Sequence, residues 1–327
     1  MKNQLFSFAF ISAFWFFCVG PATNAHAQAN FFEENDPHIK GPLKGPVKSM
    51  EIREGLTFLY IFNRAGNIVE KSAIYRSDNR VSGKLVNLYD ASGKKTGSEY
   101  YVETKLKTKT VINYDDRGNA LEILEYDAAG GLDFKTVKKY DTRGNVLEIS
   151  GKMPWGIVGL GPSKPIDYRD IFKYDENGRV IEKQSFLGDV KVPLESRLFE
   201  YNAENRVFCE TEISQTYLDK APRIAKRFYT YNTRGDVIES RHYEPVKESN
   251  VEELGDKFQI VDDKGTVRNG TLISDKPFMI LWSVSICNYK YDRYGNWTEH
   301  SCASNMRDTR DFVPAGSVNR RTITYYQ

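Results

Sequence analysis

Cys287, His300 and Cys302 are the residues of this chain whose types and spacing come nearest to a reactive group. The two cysteines flank a turn at Tyr294-Gly295, and a hairpin closing near Asp292 and Trp297 brings them almost opposite each other. They form a disulfide if the register puts their α-carbons within bonding range and the compartment is oxidising. One residue out of register, the same pair is simply two small buried hydrophobes. His300 and Cys302 share a strand face with Cys287 across from them, which outlines three metal ligands. The C-x-x-C and H-x-x-x-H spacings of zinc sites are absent, so the pattern points away from a metal, and no cofactor is expected. Cys209 follows the apolar Val207 and Phe208 and reads as a buried thiol.

The binding candidates are of two kinds. Lys105, Lys107 and Lys109 alternate on one face of a strand-like segment, where they either meet an anionic glycan or form a solvated, aggregation-resistant edge. Trp155, in a Gly/Pro-dense segment, and Tyr168 beside it are aromatic platforms of the kind on which sugars stack, whereas Trp297 is expected to pack between units. The carboxylate pairs Asp115-Asp116 and Asp262-Asp263 have the composition of an acid and base for sugar hydrolysis. Each sits at a turn, where Asp serves the backbone. The sequence holds no GxSxG elbow and no HExxH helix, and Gly156-x-x-Gly159-x-Gly161 lacks the strand and helix that phosphate binding needs. No catalytic residue is assigned, and an enzyme is not expected.

The elements that must position these residues come from a repeat. An aromatic residue, Asp or Asn, two variable residues, Gly, a polar residue, apolar residues and commonly Glu recur as FNRAGNIVE (62–70), YDDRGNALE (114–122), YDTRGNVLE (140–148), YDENGRVIE (174–182), YNTRGDVIE (231–239) and YDRYGNWTE (291–299). Weaker copies begin at Tyr89, Tyr126, Tyr201 and Val261. The intervals of 25 to 34 residues along the series 62, 89, 114, 140, 174, 201, 231, 261 and 291, with Tyr126 midway in one of them, fit one hairpin per unit, two strands with a turn at each end. Asp or Asn suits the first position of a type I turn, and Gly66, Gly118, Gly144, Gly178, Gly235 and Gly295 suit the left-handed position that follows. Asn205 takes that slot in one copy, and Asn tolerates the conformation best after Gly.

Flanking segments such as 105–111 (KLKTKTV) and 321–326 (RTITYY) alternate with period two in strand-forming residues. The expected fold is therefore all-β: about ten hairpin units over residues 45–327, forming an extended antiparallel sheet that curls on itself. The repeated tyrosines line one face, and residues 45–60 and 319–326 cap the two ends. Residues 151–168 and 244–257 interrupt the repeat and read as loops extending from the sheet.

These YDxxGN copies, with YDRYGNWTE followed by RRTITYY, resemble the RHS/YD-repeat family over about residues 45–327. The resemblance implies a long antiparallel sheet that spirals, which in large members wraps a shell around a toxin. No toxin-like segment follows the repeats here, so no toxin role is implied. LYDASGKKTGSEYY (88–101) is also similar to MORN-like hairpin repeats.

Residues 1–27 read as a secretory signal, with Lys2 as the positive start, an apolar run from Leu5 to Gly20 and Ala25-His26-Ala27 at the cleavage site. Phe17 and Trp15 stand where a lipoprotein signal before Cys18 needs small and aliphatic residues, so no lipidation is expected. Residues 28–44 form a linker. With 46 basic against 44 acidic side chains, the chain has neither a nucleic-acid binder's charge nor a disordered tail's. No later apolar stretch reaches membrane-helix length, so the mature protein is expected outside the cytoplasm and not spanning the membrane. The function expected is a secreted or periplasmic, non-catalytic repeat protein that binds an envelope glycan or surface protein. A structural module of a surface complex, which would self-associate, is the alternative, and a hydrolase with an unrecognised carboxylate pair comes last.

Overall fold

The computed structural model describes residues 43–53, 56–153, 166–215, 222–245, 259–261, 267–269, 279–306, 313–314 and 318–326. The expected signal, most of the 28–44 linker, Trp155, Asp262-Asp263 and most of the 244–257 segment lie outside them.

Every regular element among the described residues is a strand. The first five are β1 (Val47–Arg53), β2 (Thr57–Phe62), β3 (Ile68–Ile74), β4 (Val81–Tyr89) and β5 (Lys95–Val102). Then come β6 (Lys105–Tyr114), β7 (Ala120–Asp127), β8 (Leu132–Tyr140), β9 (Val146–Met153), β10 (Ile166–Tyr174) and β11 (Val180–Leu187). They are followed by β12 (Glu195–Tyr201), β13 (Val207–Ser214), β14 (Arg223–Tyr231) and β15 (Val237–Pro245). The short β16 (Gln259–Val261) and β17 (Val267–Asn269) precede β18 (Met279–Tyr291) and β19 (Trp297–Met306), and β20 (Val313–Pro314) and β21 (Asn319–Tyr325) end the chain.

The repeat motif makes the turns, and the bonds it forms explain its composition. In the copy at 114–122, Asp115 Oδ1 accepts the N–H groups of Arg117 and Asn119 at 3.0 and 2.7 Å, and Gly118 takes φ +87°. The other five turn glycines named from the sequence have φ between +75° and +94°, and Asn205 has φ +60°. The motif tyrosine has a separate task. Tyr140 donates its hydroxyl to the carbonyl of Ala120, just past the preceding turn, at 2.8 Å, and Tyr174, Tyr201 and Tyr231 do the same to Val146, Val180 and Val207. Where the residue after the turn glycine is basic, it covers the next unit's ring, as Lys94 covers Tyr114 at 3.6 Å and Arg179 covers Tyr201 at 4.6 Å. Each unit is thus fastened to its neighbour through the one residue type that defines the repeat.

The sheet does not remain open. The strands β1 to β15, then β18, β19 and β21, form a ring of eighteen antiparallel strands, because β1 pairs with β2 on one side and with β21 on the other. The expected open, curled sheet with capped ends is therefore wrong, and the segments assigned as caps are the two halves of a seam. The hairpin pattern constrains only nearest neighbours, so it does not report closure. What drives closure is apolar surface divided between the termini. Val47, Met50, Ile52, Tyr60 and Phe62 are buried in one cluster with Ile323 and Tyr325 packed against it. Parting the seam would expose this cluster and two rows of unpaired backbone groups.

Cross-strand partners share a face, so the register sorts the side chains into two sets. The set containing Met50, Tyr60, Ile123, Ile149, Lys138, Asp170, Lys183, Glu210 and Arg321 is the more buried and lies on the inner, concave side. The other carries exposed ion pairs near the tight turns, among them Lys139–Glu148 at 2.9 Å, Lys173–Glu182 at 2.7 Å and Lys290–Glu299 at 2.6 Å. The barrel consequently has two unlike ends, one made of the repeated tight turns and one of connections that differ from unit to unit.

Candidate functional site

A cleft of about 760 Å³ lies at the variable end, over β8 to β11. Register places Val137 opposite Ser150, Ser150 opposite Arg169 and Lys152 opposite Asp167. Strands β8, β9 and β10 therefore present Val137 and the polar Ser150, Lys152, Asp167 and Arg169 on the outer face, flanked by Lys135. Leu132, Phe134, Gly151 and Tyr168 alternate with them and complete this part of the lining. A further wall, Gly188 to Lys191, exists because β11 and β12 pair only from Glu182↔Leu198 to Ser185↔Glu195, which frees the connecting segment. Gly188 anchors that segment by donating its N–H to Asp167 O at 2.7 Å.

Tyr168, named from the sequence, is at this cleft. Its ring lies parallel to Phe134, 6.2 Å between centroids, and its hydroxyl is 3.1 Å from Thr136 Oγ1. Burial holds its phenol above the ordinary value. Gly151 sits opposite it in the ladder, and a β-carbon there would meet the Tyr168 ring at 2.9 Å and the Lys135 carbonyl at 2.5 Å. Glycine is what lets the ring lie across the neighbouring backbone. Lys135, Lys152, Arg169 and Lys191 bring positive charge to the cleft against Asp133, Asp167 and Asp189. With aromatic, aliphatic and hydrogen-bonding groups of both signs, the lining suits a polyhydroxylated ligand with a partial negative charge.

Other sequence candidates fall elsewhere. Lys105, Lys107 and Lys109 are exposed along β6, outside the cleft lining. Cys287 and Cys302 are directly paired between β18 and β19 and joined by a disulfide, with Cys302 Sγ 3.0 Å from His300 Nε2. Cys209 is buried, and burial pushes its thiol up to about 12. Asp115 is committed to its turn, and the Asn119 side-chain amide, followed by backbone N–H groups, holds its carboxyl below the usual range.

An inner-face ion network on β12 to β15 went unseen in the sequence. Arg197 lies 3.0 Å from Glu210 and 3.7 Å from Glu212, and Tyr229 donates to Glu210 at 2.8 Å. Burial raises Glu212, with Glu195 and Glu210 adding to it against Arg197, and burial lowers His242, with Arg227 reinforcing it. Phe134, Lys152, Asp167, Arg169 and Lys191 of the cleft were missed as well. One sequence signal pointed to their region: the interval from Tyr140 to Tyr174, at 34 residues, is the longest in the series from 62 to 291.

No known protein family and no curated protein matches the chain. Among solved structures it is similar to the crystal structure of TcdB2-TccC3-TEV, at TM-score 0.35 and 9% identity over 80% of this chain and 15% of that one. The Photorhabdus luminescens Tc holotoxin pore gives TM-score 0.34 and 15% identity over 81% of this chain and 12% of that one. A porin-like protein from Bacteroides uniformis gives TM-score 0.39 and 8% identity over 88% of this chain and all of that one. The chain thus spans about 15% of the length of the toxin chain in the first of these. These likenesses assign neither a family nor an activity.

Proposed function

We propose that this chain is a non-catalytic binding protein of YD-repeat type, acting outside the cytoplasm, which holds a carbohydrate of the cell envelope in the cleft over β8 to β11. The observation that carries the reading is the cleft itself, whose lining includes the stacked Tyr168 and Phe134 of one sheet face and Lys152, Asp167 and Arg169 of the other, with Lys191 in a connecting segment beside them. A non-catalytic role is supported by the turn carboxylates, whose oxygens are occupied by N–H groups of their own turns. An aqueous setting is supported by the Lys–Glu pairs on the outer face, where a lipid-facing barrel needs an apolar band.

Calorimetric titration of the purified protein with envelope polysaccharides tests this. Saturable binding that Tyr168→Ala and Asp167→Asn each weaken at least about tenfold, with Lys107→Ala unchanged, is the expected result. No binding to any glycan, or binding lost only in Lys107→Ala, would overturn it.

The alternative reading, an assembly module, rests on Trp282 and Ile286, which are 39% and 40% exposed on β18. It requires a mass that rises with concentration in light scattering and falls back in Ile286→Lys.

A further inference from the structure

We infer that the Cys287–Cys302 disulfide is an exchange-active bond, in which a low-molecular-weight thiol attacks Cys287 and Cys302 departs with its charge met by His300.

The asymmetry comes from the site. His300 Nε2 lies 3.0 Å from Cys302 Sγ, and the ligand atoms of all three residues lie within 4.8 Å of one another. The imidazole is held in place by Tyr289, stacked at 4.6 Å and 25°, and by Trp297 at 5.7 Å. In the tautomer that this contact selects, Nε2–H donates to the sulfur. A disulfide breaks faster toward the sulfur that is the better leaving group, and a charge-assisted hydrogen bond to a forming thiolate makes it better. Cys287, His300 and Cys302 are each only partly buried and the register puts them on the inner face, so the attacking thiol must be small enough to enter the barrel. The β18–β19 ladder runs from Ser283↔Met306 to Tyr291↔Trp297 and holds the hairpin without the bond. Opening the disulfide therefore does not require unfolding. Cys209 is the internal contrast, a buried thiol that burial keeps protonated.

A thiolate of the small thiol forms a bond to Cys287 Sγ while the Cys287–Cys302 bond breaks, and its electron pair goes to Cys302 Sγ beside the His300 N–H. A second thiolate attacks the sulfur that the small thiol brought, releasing the oxidised small-molecule disulfide and the Cys287 thiolate. Both cysteines then take protons from water, so the protein gains two electrons and two protons and the small thiol loses the same.

The test exposes the whole protein to reduced glutathione, caps released thiols with a brief pulse of alkylating reagent, quenches in acid and maps the products by mass spectrometry. Glutathione on Cys287 with the alkyl group on Cys302 is expected, and Cys209 stays unmodified. His300→Ala should slow the reaction about tenfold, and His300→Gln, which keeps an N–H donor, should recover most of the rate. Circular dichroism confirms that both variants keep the fold. Glutathione on Cys302, equal rates in parent and His300→Ala, a His300→Gln variant as slow as His300→Ala, or no adduct at all would each overturn the inference.

Discussion

The two ends of the barrel are built from the same strands and obey different rules. At the tight-turn end, each connection is closed by an Asp or Asn side chain and a left-handed Gly or Asn, and each is tied to its neighbour by a tyrosine hydroxyl. At the other end the connections differ from unit to unit: the Asp127–Gly131 turn repeats the motif, with Gly130 at φ +88°, another connection lies beside the cleft, and Gly151 admits an aromatic ring onto the sheet. Acid groups follow the same division. Asp90 and Asp115, at tight turns, are held below the carboxylate range, chiefly by the Ser92 hydroxyl and the Asn119 amide respectively. Glu125, close to the variable end, is pushed up by burial and by Asp133. The repeat motif is scaffolding concentrated at one end, which leaves the opposite end free to vary.

The most disruptive test of this division strikes the seam that holds both ends together. Met50→Ala should cost about 2–5 kcal/mol in chemical denaturation, because Met50 is fully buried where β1 meets β2 and β21. A loss no larger than that of a surface change would show that the seam is not a core. Next come the tight turns: Gly118→Ala, at φ +87°, should cost about 1–2 kcal/mol, and Tyr140→Phe about 1 kcal/mol. If the two changes cost nothing, the turn end is not the rigid one.

The pH dependence sharpens the contrast between the acids. A carboxyl held below 3.8 binds a proton more readily in the unfolded chain, so its stabilisation is complete above 3.8 and fades as pH falls through the folded value. Melting curves of the parent and of the Asp90→Asn, Asp115→Asn double variant should therefore converge on acidification below about pH 4. Glu125 has the opposite sign, since its folded value lies above 4.5 and the ionised form is penalised at neutral pH. Glu125→Gln should stabilise by roughly 0.5 kcal/mol at pH 7 and lose that advantage as the pH falls below 4.5. Smallest in stability is Lys191→Ala in the cleft wall, expected within about 0.5 kcal/mol of the parent yet weakening glycan binding in titration. A large loss of stability there would place Lys191 in the scaffold instead.

How much of this was legible depends on the range of the interaction. The turns at Asp115 and Gly118 were readable because an Asx side chain bonds to N–H groups two and four residues away. A hairpin closing between Cys287 and Cys302 left their bonding open to a one-residue difference in register, which the β18–β19 ladder decided, while the approach of His300 to Cys302, two residues along one strand, depended on side-chain orientation. Tyr168 was singled out by type, but its stacking on Phe134, 34 positions earlier, required the register of β8, β9 and β10. The expectation that tyrosines line one face missed their bond, since the acceptor carbonyl belongs to the preceding unit.

By itself, the sequence determined the all-β class, the hairpin unit and the chemistry of every tight turn, all of which arise within about ten residues of chain. Only the tertiary structure decided that the sheet closes, that Lys105, Lys107 and Lys109 stand apart from the cleft, and that Arg197, Glu210 and Glu212 form one network. The reason is physical: closure joins Met50 to Ile323, at opposite ends of the chain. Its driving force is apolar surface that neither terminus can bury alone.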